Sequence, residues 1–285
     1  MSNLDCDSVF EAEPPPPAVS VRCLAQKGGR LVPSVRSAPE ETAIAFTFNG
    51  LTHAVMMATP SDLEDFAIGF ALTEGLIDDP ADIASLEIVA TRLGVELRAW
   101  LADDRAKTYS ARRRSMAGPT GCGLCGIESL EEAVRSAPPV AGGGPFQYGD
   151  ISTAMDALPR GQSLYAQTHA VHAAAFWTPG EGLLALREDV GRHNALDKLA
   201  GALRRGKHSA KDGLVLLTSR VSIELIQKAA RMGAPAIVAV SAPTAAAIRL
   251  AEACGMTLIA VARAGEFEIF THPRRITDRA MPNVA

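Results

Sequence analysis

The first chemistry in this sequence is a pair of thiols set among glycines, Gly121-Cys122-Gly123-Leu124-Cys125-Gly126. Glycines before, between and after Cys122 and Cys125 leave the backbone free and both sulfurs accessible. Arg112, Arg113 and Arg114 lie just upstream and favour thiolate over thiol. A thiolate is the species that attacks a disulfide or persulfide sulfur, so this pair is the candidate reactive centre. Three other readings compete with it. Half of a zinc site lacks a second pair, since Cys254 falls on a predicted helix and the histidines lie far along the chain. A thioredoxin-type dithiol is expected to open a helix directly after a strand, and this pair follows a loop. Two inert surface cysteines fit poorly with so many loop-forming neighbours.

A second cluster packs acid, base and amide groups between a predicted strand and a predicted helix: Glu188-Asp189-Val190-Gly191-Arg192-His193-Asn194-Ala195-Leu196-Asp197-Lys198. Such a turn is a candidate site, with Asp189, Gly191, Arg192, His193 and Asn194 at its centre. The plainer alternative is that Asp189 or Asn194 caps helix amides. Thr218-Ser219-Arg220, ahead of a helix at 222–232 with Lys228 on a later turn, offers hydroxyls and a guanidinium for an anion. Capping is again the alternative. His169 and His172 flank a strand start, where residues three apart face opposite sides, so they predict no metal site.

The elements that must position these groups fall into two halves. In the first, residues 43–58 predict a hairpin turning at Asn49-Gly50, and Ser61 with Glu64 predicts a capping box opening a helix. Short strands follow at 85–90 and 94–101. The Arg- and Gly-rich stretch up to residue 147 reads as a loop and linker, with a helix start at 127–135. The second half alternates strands at 172–177, 183–188, 214–219, 236–241 and 257–262 with helices at 194–203, 222–232 and 244–253, which predicts a mostly parallel sheet covered on both faces. The expected organisation is a disordered tail over 1–18, a small α+β domain over 19–110, a mobile Cys-x-x-Cys loop over 111–147 and an α/β domain over 148–278. Ligands in such sheets sit beyond the carboxyl ends of the strands, near helix N-termini.

The bulk numbers narrow the classes. The 285 residues are 47% hydrophobic and 21% charged, ordinary for a globular protein, and the net charge of −4 gives no field for nucleic acid or an anionic membrane. No apolar run approaches the ~20 residues of a membrane span, and the acidic N-terminus lacks a signal pattern, so a cytoplasmic location is expected. Five cysteines in so long a chain argue for thiol chemistry rather than a disulfide scaffold.

Several ordered blocks resemble the FdhD/NarQ family of formate dehydrogenase accessory proteins: TPSDLEDFAIGFALTEGLI, GCGLCG, REDVGRHNALDKLAG, the long run from TSRVSIELIQKAARMGAPAIVAVSAPTAAAIRL to ACGMTLIAVAR, and THPRRI. That resemblance implies a sulfur carrier that takes persulfide sulfur from a cysteine desulfurase and passes it to the molybdenum cofactor, bis-molybdopterin guanine dinucleotide, before the cofactor enters formate dehydrogenase. It implies a cytidine deaminase-like fold for the C-terminal domain, and a homodimer. It assigns the persulfide to Cys122, with Cys125 as second thiol. It places the cofactor against Ala260, Val261, Ala262, Arg263, Ala264 and Gly265, with the DVGRHNA and TSR blocks completing a pocket for the guanine-nucleotide end. Deaminase chemistry does not come with the fold, because Ala174 stands where a catalytic glutamate would follow His172. Where relatives usually read Thr-Gly-Gly-Val-His, this chain has Thr168-His169-Ala170-Val171-His172, which alters the pocket wall. A dithiol redox protein and a non-catalytic cofactor chaperone are the alternatives from other classes.

Overall fold

The structure is a computed structural model that describes residues 13–106 and 136–277. Cys122 and Cys125, the three upstream arginines, the expected helix at 127–135 and most of the expected tail lie outside the described residues.

The described chain begins with an antiparallel ribbon, β1 (Ala18–Lys27) and β2 (Arg30–Pro39). It is docked in part by Arg36, whose guanidinium donates to the Thr168 carbonyl at 3.3 Å. Next come β3 (Thr42–Phe48) and β4 (Leu51–Ala58), the hairpin expected around Asn49-Gly50, with both turn residues at positive φ. The helix α1 (Leu63–Thr73) is followed by β5 (Ile83–Thr91) and β6 (Gly94–Leu101). These four strands form one sheet in the order β4-β3-β6-β5. Alternate residues such as Ile44, Phe46, Val95 and Leu97 meet Phe66 and Phe70 of α1 in a closed core.

The expected capping box is absent. Asp62 occupies the cap position in the left-handed region, with no side-chain cap, and Ser61 turns its N–H onto the Thr59 carbonyl. Tertiary contacts set this entry: Arg187 lies 3.4 Å from the Asp62 carboxylate, and Thr59 is bound to the second half.

The second half holds β7 (Phe146–Gln147), α2 (Tyr148–Gly161), α3 (Ser163–Thr168), β8 (His172–Thr178), β9 (Gly182–Asp189), α4 (Arg192–Arg205), β10 (Leu214–Leu217), α5 (Ile223–Met232), β11 (Ala236–Ala239), α6 (Ala245–Cys254), β12 (Thr257–Arg263), β13 (Glu266–Ile269) and β14 (Ile276–Thr277). Six of the strands form one sheet, ordered β13-β12-β11-β10-β8-β9. Its pairing corrects the expectation of a mostly parallel sheet. Only β10-β11 and β11-β12 run parallel, while β8-β9, β8-β10 and β12-β13 are antiparallel. The turns 179–181 and Ala264-Gly265 are too short for crossovers, so the strands they join must reverse. Both faces are covered, as expected. Phe176, Val215, Ile237 and Leu258 face the core shared with α4, α5 and α6, and Trp177, Leu216, Val238 and Ile259 face α2. α2 and α3 themselves were not among the expected elements.

The halves meet where α1 crosses α4. A Cβ on Gly69 or Gly201 would lie well inside 3.0 Å of the backbone of Asp197 or Asp65 respectively, so the helices approach to a distance only glycine allows.

Candidate functional site

A cavity of about 830 Å³ opens at one end of the six-stranded sheet, within the range of small-molecule sites. One wall is α2, which folds as a helix through the apolar spacing Ile151, Ala154, Leu158; Ile151, Met155 and Leu158 line the cavity. A second wall is the segment Gln162–His172, and a third is the end of β12 with its turn into β13. Thr218 and Val240, just past the ends of β10 and β11, form the floor.

The β12 wall is irregular. Its pairing with β13 shifts register between Ala260 and Arg263, and Val261 and Ala264 sit at φ 55° and 50°, with Gly265 at 81°. A β-branched residue such as Val261 is an outlier there, and residues held in such conformations cluster at ligand clamps. The bulge carries Arg263 to the cavity rim, where its Nε donates to the Val240 carbonyl at 3.1 Å. Ala262, Arg263, Ala264, Gly265 and Thr218 therefore share one cavity, while Ala260 and Val261 lie behind it. Thr218 is fixed by two bonds to β8, accepting from the Ala173 N–H at 2.8 Å and donating its own N–H to the Ala173 carbonyl at 3.1 Å. His172 lines the same cavity, and burial, together with the nearby Arg192 charge, lowers its pKa, so the ring is neutral at pH 7.

The 188–198 block is organised differently, and its residues do not line the cavity. Asp189 is fully buried and accepts from Lys198 Nζ at 2.7 Å, the Thr59 N–H at 3.0 Å, the Gly191 N–H at 2.7 Å and Asn194 Nδ2 at 2.9 Å. Asn194 Nδ2 also reaches the Met57 carbonyl at 2.9 Å, and Lys198 the Thr59 carbonyl at 2.8 Å. This set of bonds joins the two sheets. Glu188 accepts from the N–H groups of Leu164 and Tyr165 at 2.7 and 2.8 Å and so pins the start of α3. His193 Nε2 lies 2.8 Å from the Glu224 carboxylate and 3.3 Å from Ser222 Oγ, and its hydrogen bond to Glu224 lowers that carboxyl's pKa. Arg192 Nε is buried with no hydrogen-bond partner among the described residues.

Ser219 turns its hydroxyl onto the Arg220 carbonyl at 3.0 Å, and Arg220 is exposed beside it. Lys228 is not available to an anion at the start of α5. It is buried against both Asp197 oxygens at 2.9 and 3.0 Å, Thr73 Oγ1 at 3.1 Å and Glu74 at 3.0 Å. Burial opposes its charge, but the Asp197 and Glu74 carboxylates outweigh burial and raise its pKa. No group of three or more His, Cys, Asp or Glu side chains that could hold a metal ion occurs among the described residues, and no described helix is long and apolar enough to cross a membrane.

The α2 wall, Tyr165, Glu266 and Phe267 are cavity residues beyond those expected from the sequence. The spacing of Ile151, Ala154 and Leu158 was the available signal for α2.

The family model described as FdhD/NarQ family matches residues 39–277. A protein of Agrobacterium fabrum named sulfur carrier protein FdhD is 52% identical over 242 residues, covering 85% of this chain and 89% of that one. One of the same name from Bordetella petrii is 46% identical, covering 83% and 85% respectively. A crystal structure from Desulfotalea psychrophila, described as that of a candidate formate dehydrogenase accessory protein, superposes with a TM-score of 0.73 at 26% identity, covering 92% of this chain and all of that one.

Proposed function

The chain belongs to the FdhD/NarQ family, and from that premise we propose that it is a sulfur carrier serving the maturation of formate dehydrogenase. Cys122 is the carrier atom's seat. Its thiolate attacks the terminal sulfur of a cysteine desulfurase persulfide; a new S–S bond forms at Cys122 as the desulfurase thiolate leaves. The Cys122 S–S bond then breaks as the terminal sulfur passes to bis-molybdopterin guanine dinucleotide as substrate; the reduced cofactor supplies the two electrons, Cys122 leaves as thiolate, and Cys125, three residues on, protects that thiolate. The Gly-flanked thiol pair, in a chain that matches sulfur carriers over most of its length, carries this reading.

The cavity supports a place for the guanine-nucleotide end of that substrate. It has the volume for one nucleotide, a guanidinium at Arg263, and exposed backbone at Ala264 and Gly265 that phosphate oxygens can approach. On the same reading Asp189, Gly191, Arg192, His193 and Asn194 shape the pocket from behind, through α3 and the starts of α4 and α5, rather than by lining it. A sheet with helices on both faces supports the cytidine deaminase-like kinship of residues 148–278, with 19–110 as the smaller domain. On this reading the carrier works in the cytoplasm as a homodimer.

The test is direct. Purified protein is incubated with a cysteine desulfurase and cysteine, and its peptide masses are read without reductant. A gain of ~32 Da on the Cys122 peptide, absent in Cys122→Ala, is the expected result for a thiolate that accepts one sulfur. A Cys122–Cys125 disulfide with no added sulfur would overturn the carrier reading in favour of a dithiol.

A further inference from the structure

His169 closes α3 in the left-handed region, at φ 55°, where its N–H donates to the Tyr165 carbonyl at 2.7 Å. Any residue makes that backbone bond, and glycine makes it with least strain, so the turn itself does not call for an imidazole. What the imidazole adds lies at the cavity wall. Its ring stands edge to face with Tyr165, centroids 5.2 Å apart and planes at 86°, and both rings line the cavity. The pair is not core packing, since Tyr165 is 41% exposed and His169 is exposed too.

The corner is held firmly from behind. Glu188 takes the N–H groups of Leu164 and Tyr165, the Thr168 hydroxyl donates to the Leu164 carbonyl at 2.8 Å, and Arg36 reaches the Thr168 carbonyl. Two rings at right angles, fixed on a short rigid helix and open to a cavity, present a flat apolar face with a second ring beside it. Arg263 and the Ala264-Gly265 backbone stand on a different wall of that cavity.

We propose that Tyr165 and His169 form an aromatic corner that stacks on the purine base of the bound nucleotide, while Arg263 and its turn hold the phosphates. This rests on the reading that the cavity takes the guanine-nucleotide end of the substrate. It makes His169 a base-contacting residue of this chain, set at an uncommon left-handed backbone position.

The experiment is calorimetric titration of the full chain with GDP and, separately, with pyrophosphate, which lacks the base. Parent protein is compared with His169→Gly, His169→Asn and Tyr165→Leu. Asparagine keeps a side chain that tolerates the left-handed backbone but removes the ring. The expected result is about a tenfold loss of GDP affinity in all three variants, the size of one base–aromatic stack, with pyrophosphate binding unchanged. His169→Gly should also melt no lower than the parent, so the loss cannot be ascribed to misfolding. Three results would overturn the inference: GDP bound by the ring-less variants as tightly as by the parent, a loss in His169→Gly that His169→Asn does not share, or an equal loss for pyrophosphate. If the parent binds neither probe, the nucleotide-site reading itself falls, and the aromatic corner with it.

Discussion

The buried seam and the open cavity use polar groups in opposite ways. At the seam Asp189, Lys198, Asp197 and Lys228 are dense in charge, buried, and bonded both to one another and to Thr59, Thr73 and Glu74 of the first half. At the cavity the wall at the end of β12 carries two charged side chains, Arg263 and Glu266, on a backbone bent into rarely used conformations, and the Arg263 guanidinium reaches the rim. A cluster of charged letters in a sequence is therefore as much a signature of a joint as of a ligand site. A run as plain as Ala260 to Gly265 can hold the cavity's most unusual geometry.

The largest effect expected on this contrast is at the seam. Lys198→Met leaves the Asp189 carboxylate buried without its cation, and the predicted loss of about 3–5 kcal/mol is measured by urea unfolding. A loss below about 1 kcal/mol, the size of a surface pair, would show that the seam is not what joins the halves. Next is Gly201→Ala, which forces α1 and α4 apart and should cost about 1–3 kcal/mol by the same measurement. Arg263→Ala should leave unfolding unchanged while GDP affinity falls about tenfold, as for a lost charge-assisted hydrogen bond. Equal losses of stability and affinity there would erase the contrast. The smallest effect is with pH. The His172 pKa is lowered from 6.5 in the folded chain, so below pH 6.5 the unfolded state takes up its proton first and stability falls. Comparing urea midpoints at pH 7.5 and 5.5, His172→Gln should show a shallower decline than the parent.

Much of the fold was legible because its central strands are unbroken apolar runs. LVLL and AIVA can only be buried on both faces, and both are. Strand direction was not legible from those runs; it depended on the short turns after Thr178 and Arg263. The β1-β2 ribbon had a signal in Val19-Ser20-Val21-Arg22 and in Gly28-Gly29, masked by the polar and Pro-containing residues around it. α2 was hidden by the glycine at each end and Pro159 in its last turn. Of the candidate site, the Ala262–Gly265 turn and Thr218 do meet at one cavity. The opposite wall depends on a helix the sequence did not announce. Ser61 failed as a cap because Thr59 and Asp62 are claimed by groups some 130 residues away, and no local pattern records such a claim.

The pairing of β7 with β14 has a consequence for the order in which the protein is made. Residues 146 and 147 lead directly into α2, and they are paired in parallel with Ile276 and Thr277. Arg275 adds bonds to the carbonyls of Gly142 and Gly255, at 3.2 and 2.7 Å. During synthesis α2 emerges more than a hundred residues before this clasp exists. The last tie on the cavity wall is thus made only when the chain reaches Thr277, after the strands on which α2 packs have already been synthesised.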